Sequence, residues 1–264
     1  VYDNLAFPLR NRHMEASAVD RRVREVAEIL DLTDVLKQKA AGLAADAKQK
    51  ISLGRGLVRS DVAAILFDEP LTVIDPHLKW HLRRKLKEIH EQLKLTLIYV
   101  THDQMEALTF AEKVVVMYEG EIVQTGTPED LFETPEHKFV GYFIGSPGMN
   151  FLSCKVEGNK VFIDGTAITL DEKTAAAATK ISGEIELGIR PKYLEISPSP
   201  VGNALAGVVK SVEDLGSYKI VTAAFNGKTL YARLPEGAPV AVGKAWIAFP
   251  PDKIKLYTNE RLVR

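Results

Sequence analysis

The spacing of apolar residues changes along the chain, and each change predicts a different kind of element. Val23, Val26 and Ile29 recur at helical spacing among Arg, Glu and Asp residues, so the chain is predicted to be helical to about residue 47. Beyond residue 148 the apolar runs become short and alternating, with turn signals at Gly158-Asn159 and Asn226-Gly227. This second pattern is typical of a small antiparallel barrel of the OB kind. Together with two β-rich runs between these regions, the patterns predict a chain that is α/β plus all-β.

Two β-rich runs between these regions predict a parallel sheet. Residues 64–67 (AILF) lead into Asp68-Glu69, and residues 96–100 (TLIYV) lead into Thr101-His102. Residues 76–95 between them predict one helix with a charged outer face. A strand–helix–strand unit of this kind presents polar groups at the carboxyl edge of its sheet, where phosphate-bearing ligands bind.

The residue types at this edge suit phosphoryl chemistry. Asp68 can hold Mg²⁺, because a hard dication prefers oxygen ligands. Glu69 can orient and deprotonate a water aimed at a phosphoryl group. His102 can donate a hydrogen bond to the transferred phosphate. Asp75 follows in a turn just before the helix. An Asp-Glu pair alone is a weak signal, but this strand context favours a nucleotide site.

Several segments together resemble the ATPase subunits of ATP-binding-cassette (ABC) importers for maltose, sn-glycerol-3-phosphate and other carbohydrates. The resemblance covers essentially the whole chain. It is carried by VYDNLAFPL (1–9), KQKISLGRGLVR (48–59), ILFDEP (65–70), THDQMEALTFAEKVVVMYEGEIVQTGTPEDLFETP (101–135), FIGSPGMNFL (143–152) and GIRPKY (188–193).

The resemblance implies roles, ligands and partners. Glu69 would be the catalytic base of the Walker B motif, Asp68 would serve the metal, Asp75 would lie in the D-loop, and His102 would be the switch histidine. ATP and Mg²⁺ would be the nucleotide and the metal. The partners would be membrane permease subunits, a second ATPase subunit and, indirectly, a periplasmic solute-binding protein. The protein would then work at the cytoplasmic face of the cell membrane.

The resemblance also implies a division into domains. Residues 1–47 would form the helical subdomain of the cassette and residues 48–145 the carboxyl part of the nucleotide-binding core. Residues 146–264 would form a TOBE regulatory domain with an OB-like barrel. The Gly-Ser-Pro-Gly run at residues 145–148 would be the linker.

Two departures from the family pattern qualify this expectation. No G-x-x-x-x-G-K-[ST] motif, whose backbone cradles phosphates, occurs in the 264 residues. Since the family carries it upstream, we expect a chain that lacks its N-terminal portion and binds ATP weakly or not at all. The family signature LSGGQ also aligns with Leu43, Ala44, Ala45, Asp46 and Ala47.

The altered signature predicts a partner. In the family its hydroxyl and N–H groups bind the γ-phosphate held by the opposite subunit, and the Asp46 charge would repel that phosphate. We therefore expect a heterodimer with a sister subunit that has an intact signature, and keep a homodimer as the alternative. A second interpretation makes Asp46 a helix N-cap turned away from the nucleotide.

Composition supports this class without selecting it. The formal net charge is −1 and 26% of residues are charged, so no broad basic field predicts nucleic-acid binding. The barrel region shows no aromatic-plus-basic strand face, and Arg21, Arg22 and Arg24 are predicted to be a solvated face. The single cysteine, Cys154, excludes an internal disulfide.

Two other functional classes stay open at this point. The altered signature and the missing phosphate loop are compatible with a non-hydrolytic, regulatory or structural subunit of the same kind of complex. A soluble DNA-repair or translation ATPase with the same cassette is the other alternative, although the TOBE-like tail argues for import.

Overall fold

A computed structural model of the chain describes residues 1–93, 96–178 and 183–264. The end predicted for the long helix, at Leu95, lies outside the described residues. Contacts between residues divide the chain into two compact units, Val1–Ala111 and Glu112–Arg264. Each unit has its own hydrophobic core.

The first unit is mainly helical and contains one parallel strand pair. Its elements, in chain order, are α1 (Tyr2–Arg10), α2 (Ala16–Ile29), short 3-10 helices at Thr33–Val35 and Ala40–Gly42, α3 (Ala45–Leu57), β1 (Ala64–Asp68), α4 (Pro76–Leu93), β2 (Thr96–Val100) and α5 (Gln104–Phe110). The predicted helices at the N-terminus and the predicted strand–helix–strand unit are confirmed.

The core of the first unit follows the helical spacing of the sequence. Val19, Val23 and Val26 form the buried stripe of α2 and pack in one cluster with residues of α1 and α3. The prediction that Arg22 is solvated is wrong, because its side chain is only 14% exposed and donates hydrogen bonds to the carbonyls of Leu57 and Val58. Arg22 thereby caps the end of α3, where helix carbonyls lack intrahelical partners.

The parallel pairing of β1 and β2 is confirmed. The register runs from Ala64 opposite Thr96 to Asp68 opposite Val100. Ile65 and Phe67 are buried in the core, whereas Leu66 on the other face is 71% exposed. The described helices therefore cover one face of this sheet, although parallel sheets are usually covered on both.

The second unit is mainly antiparallel. Its elements are β3 (Val114–Tyr118), β4 (Glu121–Gly126), α6 (Pro128–Glu133), α7 (Lys138–Phe143), β5 (Asn150–Glu157), β6 (Lys160–Ile163), β7 (Thr166–Thr169), α8 (Glu172–Ala178), β8 (Ile185–Ile189), a 3-10 turn at Pro191–Tyr193, β9 (Glu195–Ser197), β10 (Ala204–Asp214), β11 (Tyr218–Phe225), β12 (Lys228–Pro235), β13 (Gly243–Ala248), a 3-10 turn at Pro251–Lys253, β14 (Lys255–Thr258) and β15 (Arg261–Leu262).

Two antiparallel sheets share the core of this unit. One has five strands in the order β12-β11-β10-β13-β9, and the other has six in the order β15-β14-β8-β5-β6-β7. Both contribute side chains to one cluster that includes Leu187, Leu205 and Ile247. The predicted class, α/β followed by antiparallel β, is confirmed.

Two hairpin turns, one of them at the predicted Asn226-Gly227, have the backbone conformation that tight two-residue hairpins require. Asn226 and Gly227 have φ of +46° and +78° between β11 and β12, and Glu119 and Gly120 have φ of +50° and +83° between β3 and β4. Two successive residues with positive φ match the right-handed twist of the flanking strands.

A buried arginine explains why the second unit begins before the predicted linker. Arg190 is 2% exposed and donates to four backbone carbonyls, those of Leu131, Phe132, Gly141 and Ile144. These carbonyls lie on α6 and α7, which are thus attached to the end of β8. Burial lowers the pKa of Arg190 to about 10. The domain boundaries near residues 47 and 145 stay a prediction.

Candidate active site

The ends of β1 and β2 bring Glu69 and His102 together. The Glu69 N–H donates to the carbonyl of Val100 at 2.9 Å, which fixes the chain where both strands end. Oε1 of Glu69 lies 2.8 Å from Nδ1 of His102. The sequence therefore placed the acid and the histidine correctly at the same edge of the sheet.

Glu69 has an unusual backbone conformation. Its φ is +46°, a left-handed value that non-glycine residues adopt infrequently and at some energetic cost. Besides the contact with His102, its side chain accepts a hydrogen bond from the Thr72 hydroxyl at 3.1 Å. Two partners and a backbone bond thus hold the carboxylate in one place beyond the strand.

The two side chains shift each other's titration in opposite directions. The hydrogen bond from His102 lowers the pKa of Glu69, with a further contribution from Thr72. The same hydrogen bond and the Glu69 charge raise the pKa of His102. Both side chains are well exposed, 70% for His102 and 44% for Glu69, so solvent screens their attraction. Near neutral pH the pair presents a carboxylate beside an imidazole that takes up a proton more readily than usual.

Two other acidic residues predicted for the site, Asp68 and Asp75, are exposed at the end of β1 and just before α4. Asp68 is the last residue of β1 and is exposed. Asp75 is exposed at the start of α4, where its carbonyl accepts the N–H groups of Leu78 and Lys79. Their assignments to the metal and to the nucleotide stay predictions.

Residues 43–47 form the N-terminal end of α3. Ala44 is the N-cap and makes no side-chain capping bond, as expected for a residue without a hydroxyl. The alternative that Asp46 is the N-cap is wrong, since Asp46 lies in the first helical turn. A carboxylate there complements the helix dipole and would compete with an approaching anion. Within the described residues, no hydrogen bond or ion pair joins residues 43–47 to Asp68, Glu69 or His102.

A buried acidic residue that the sequence analysis missed supports the loop before His102. Glu106 is 2% exposed and binds Lys79 at 3.0 Å, the Tyr99 hydroxyl at 2.8 Å and the Thr101 hydroxyl at 3.0 Å. Burial and the Glu106 carboxylate raise the pKa of Tyr99. Because Thr101 precedes His102, this network fixes the backbone from which the histidine projects.

The sequence contains a partial signal for this network. Asp103 is the N-cap of α5, and its carboxylate accepts the N–H groups of Met105 and Glu106. An acid three residues after an N-cap acid matches the pattern of a capping box. The Glu106 side chain instead turns inward, which depends on Lys79 from a distant helix and could not be deduced from that pattern.

The described residues give little support to other kinds of site. No group of three or more His, Cys, Asp or Glu side chains there is arranged to hold a metal ion. Cys154 lies on β5, and burial raises the pKa of its thiol to about 11, which disfavours a nucleophilic role. None of the described helices is both long enough and apolar enough to cross a bilayer.

Together, the α/β unit with acids and a histidine at its strand ends and the antiparallel β unit define a class, an ATPase-type unit followed by an OB module. Two family models match the second part, the MalK OB fold domain over residues 145–194 and the TOBE domain over residues 187–256.

Curated relatives extend the match over the whole chain. The oligosaccharides import ATP-binding protein MsmX of Bacillus subtilis is 36% identical over 272 residues, covering 100% of this chain and 74% of the relative. The trehalose/maltose import ATP-binding protein MalK of Thermococcus litoralis is 38% identical over 268 residues, covering 97% and 72%. The sn-glycerol-3-phosphate import ATP-binding protein UgpC of Escherichia coli O157:H7 is 36% identical over 264 residues, covering 98% and 73%. The chain belongs to the family of TOBE-containing ATPase subunits of carbohydrate ABC importers.

Proposed function

We propose that this chain is the ATP-binding and ATP-hydrolysing subunit that energises import of a carbohydrate or polyol through separate membrane subunits. The observation that carries the proposal is the 2.8 Å contact between Glu69 and His102 at the ends of two parallel strands. The relatives' names add the kind of solute, since they import oligosaccharides, trehalose, maltose or sn-glycerol-3-phosphate.

In this proposal the two paired side chains divide the work of hydrolysis. Glu69 orients the attacking water and accepts its proton. Because its lowered pKa makes it a weak base, positioning of the water contributes more to catalysis than proton transfer does. His102, whose pKa is raised, donates a hydrogen bond to the phosphate that is transferred. The Glu106 network keeps His102 in place while the water attacks in line.

The position of Asp68 suits binding of a Mg²⁺ ion whose other ligands are water and phosphate oxygens. Its carboxylate is exposed at a strand end beside Glu69, and a single protein carboxylate is a common arrangement for Mg²⁺ in nucleotide sites. A bound Mg²⁺ ion would neutralise part of the phosphate charge. We propose that Asp75, just before α4, contacts the nucleotide.

The 264-residue chain on its own is proposed to bind ATP weakly and to be inactive. No phosphate-cradling G-x-x-x-x-G-K-[ST] motif occurs in its 264 residues, so its sequence lacks the backbone cradle and lysine that hold a triphosphate. Calorimetric titration of the 264-residue chain with Mg-ATP tests this point. Tight binding by the 264-residue chain alone would contradict it.

The altered signature at residues 43–47 is proposed to make the native assembly a heterodimer of ATPase subunits. Ala44 offers no hydroxyl and Asp46 adds a negative charge at the helix terminus that would face the γ-phosphate of the partner's ATP. A sister subunit with an intact signature would complete the site that contains Glu69 and His102. Purification of the assembled complex containing one kind of ATPase subunit would contradict the heterodimer.

The same observation favours a second candidate, a non-hydrolytic regulatory or structural subunit of the same kind of complex. The two candidates differ in the effect of Glu69→Gln on the assembled complex. Loss of ATP hydrolysis supports the catalytic role, whereas unchanged hydrolysis supports the structural one.

The partners and the location follow from the proposed class. We expect permease subunits in the membrane, a periplasmic solute-binding protein that acts through them, and attachment of this chain at the cytoplasmic face.

The experiment that tests the function is ATP hydrolysis by the complex reconstituted in lipid vesicles with its permease and solute-binding protein. Carbohydrates or polyols should stimulate hydrolysis through the solute-binding protein, and amino acids should not. Stimulation by amino acids, or hydrolysis that no solute affects, would overturn the assignment to carbohydrate import.

A further inference from the structure

A cavity of about 590 Å³ lies within the second unit and shares no residue with the Glu69–His102 site. Its walls come from α6, from the 3-10 turn after β8, from the start of β11 and from the end of β12. We call it the basic–aromatic pocket, and its lining residues are Phe132, Lys192, Tyr218, Arg233, Leu234 and Pro235.

The pocket carries two positive charges and no negative one among its lining residues. The guanidinium carbon of Arg233 lies 3.8 Å from the centre of the Tyr218 ring, so the ring supports the cation. The Lys192 ammonium lies 5.7 Å from the Phe132 ring and 5.2 Å from the Tyr193 ring. Within the described part of the chain, neither Lys192 nor Arg233 forms an ion pair.

Three acidic side chains of this unit, Glu133, Asp252 and Glu236, are not among the residues that line the pocket. Glu133 accepts the Tyr193 hydroxyl at 2.6 Å, and Asp252 pairs with Lys253 at 3.0 Å. The Lys253 ammonium, paired with Asp252, lies 5.1 Å from the Tyr193 ring. Glu236 follows the pocket residues and is exposed. The two cations face the pocket directly and no carboxylate lines it, an arrangement that favours an anionic ligand.

Local sequence patterns do not reveal this pocket, because no single strand carries its aromatic and basic residues. Tyr218 and Arg233 come from neighbouring strands. Their partners Phe132 and Lys192 come from elements far away in sequence.

We propose that the basic–aromatic pocket binds a small organic phosphate, a phosphate ester with an apolar or ring-shaped body. Two unpaired cations match the double charge of a phosphate ester, with Arg233 as a planar donor and Lys192 as a point charge. Phe132 and Pro235 supply apolar surface for the body of the ligand. A volume of about 590 Å³ is in the usual range for small-molecule sites.

The test is calorimetric titration of the 264-residue chain with glucose 6-phosphate, glucose and inorganic phosphate. Saturable binding of the ester at one site is expected, with weaker binding of inorganic phosphate and none of glucose. Arg233→Gln and Lys192→Gln should each weaken binding of the ester about tenfold, because each removes a charged donor. Raising the salt concentration should also weaken it.

Lys210→Gln is the matched control, since Lys210 is an exposed cation on β10 of the same sheet as Arg233. It should leave the affinity within twofold of the original, and the circular dichroism spectra of all three variants should be unchanged. The absence of saturable binding overturns the proposal. So does binding that Arg233→Gln and Lys192→Gln leave unchanged, or equal affinity for inorganic phosphate and the ester.

Discussion

Replacing Glu106 by Ala should destabilise the first unit strongly, although this residue lies outside the predicted site. The carboxylate is 2% exposed and accepts three hydrogen bonds, from Lys79, Tyr99 and Thr101. Its removal leaves the Lys79 ammonium, which is 20% exposed, with Asp103 at 3.9 Å as its nearest remaining counter-ion. Two hydroxyl donors lose their acceptor at the same time.

The size of the effect follows from these contacts. Breaking a buried ion pair by removing one partner costs about 3–5 kcal/mol, and partial exposure of Lys79 places this case at the lower end, about 3 kcal/mol. Lys79→Met should cost less, about 1–2 kcal/mol, because Glu106 keeps the hydrogen bonds from Tyr99 and Thr101. The double variant should be less destabilised than the sum of the two single variants.

The assay is urea unfolding followed by circular dichroism, combined with hydrogen exchange of the peptides that contain β2 and α5. Exchange in β2 should accelerate in Glu106→Ala, since the network holds Tyr99 and Thr101. Glu88→Ala is the control, because the pairs that Glu88 forms with Arg84 and Lys85 are exposed, so its removal should change the stability little. Equal costs for Glu106→Ala and Glu88→Ala would refute the reasoning.

Three further predictions concern other parts of the chain. The Glu69–His102 pair should stabilise the protein most between about pH 4.5 and 6.5. Below this range the stability due to the lowered pKa of Glu69 is lost, and above it the stability due to the raised pKa of His102 is lost. NMR titration should show the pKa of His102 falling in Glu69→Gln, and an unchanged pKa would contradict the pairing. Arg190→Met should destabilise the second unit by about 3–5 kcal/mol in thermal unfolding, since four backbone carbonyls, three of them in buried hydrogen bonds, lose their donor. A cost below about 1 kcal/mol would show that α6 and α7 do not depend on this residue. Gly227→Ala should cost about 1–2 kcal/mol, because φ is +78° there, whereas Gly202→Ala, in open space, should cost little.

The predicted elements and the paired site residues follow from local patterns. An apolar run that ends in a polar residue marks both where a strand stops and which side chain stands at the sheet edge. That pattern was sufficient for Glu69 and His102, and the turn residues Asn226 and Gly227 were sufficient for the hairpin they form.

Residues whose function depends on distant partners could not be predicted in this way. Glu106 is an acid on a short helix, and its burial depends on Lys79, which lies 27 positions earlier. Arg22 looks like one of three solvated arginines until the end of α3 is placed beside it, 35 and 36 positions away. Arg190 similarly holds segments 46 to 59 positions earlier in the chain.

The most direct test of the proposed hydrolytic site measures ATP binding and ATP hydrolysis on the same preparation of the assembled complex carrying Glu69→Gln. The proposal predicts that hydrolysis falls at least about a hundredfold while the affinity for Mg-ATP stays within about threefold, because Glu69 acts on the attacking water. Glu28→Gln, an exposed change on α2, should alter neither quantity. Hydrolysis that survives Glu69→Gln would contradict the catalytic role assigned to the Glu69–His102 pair.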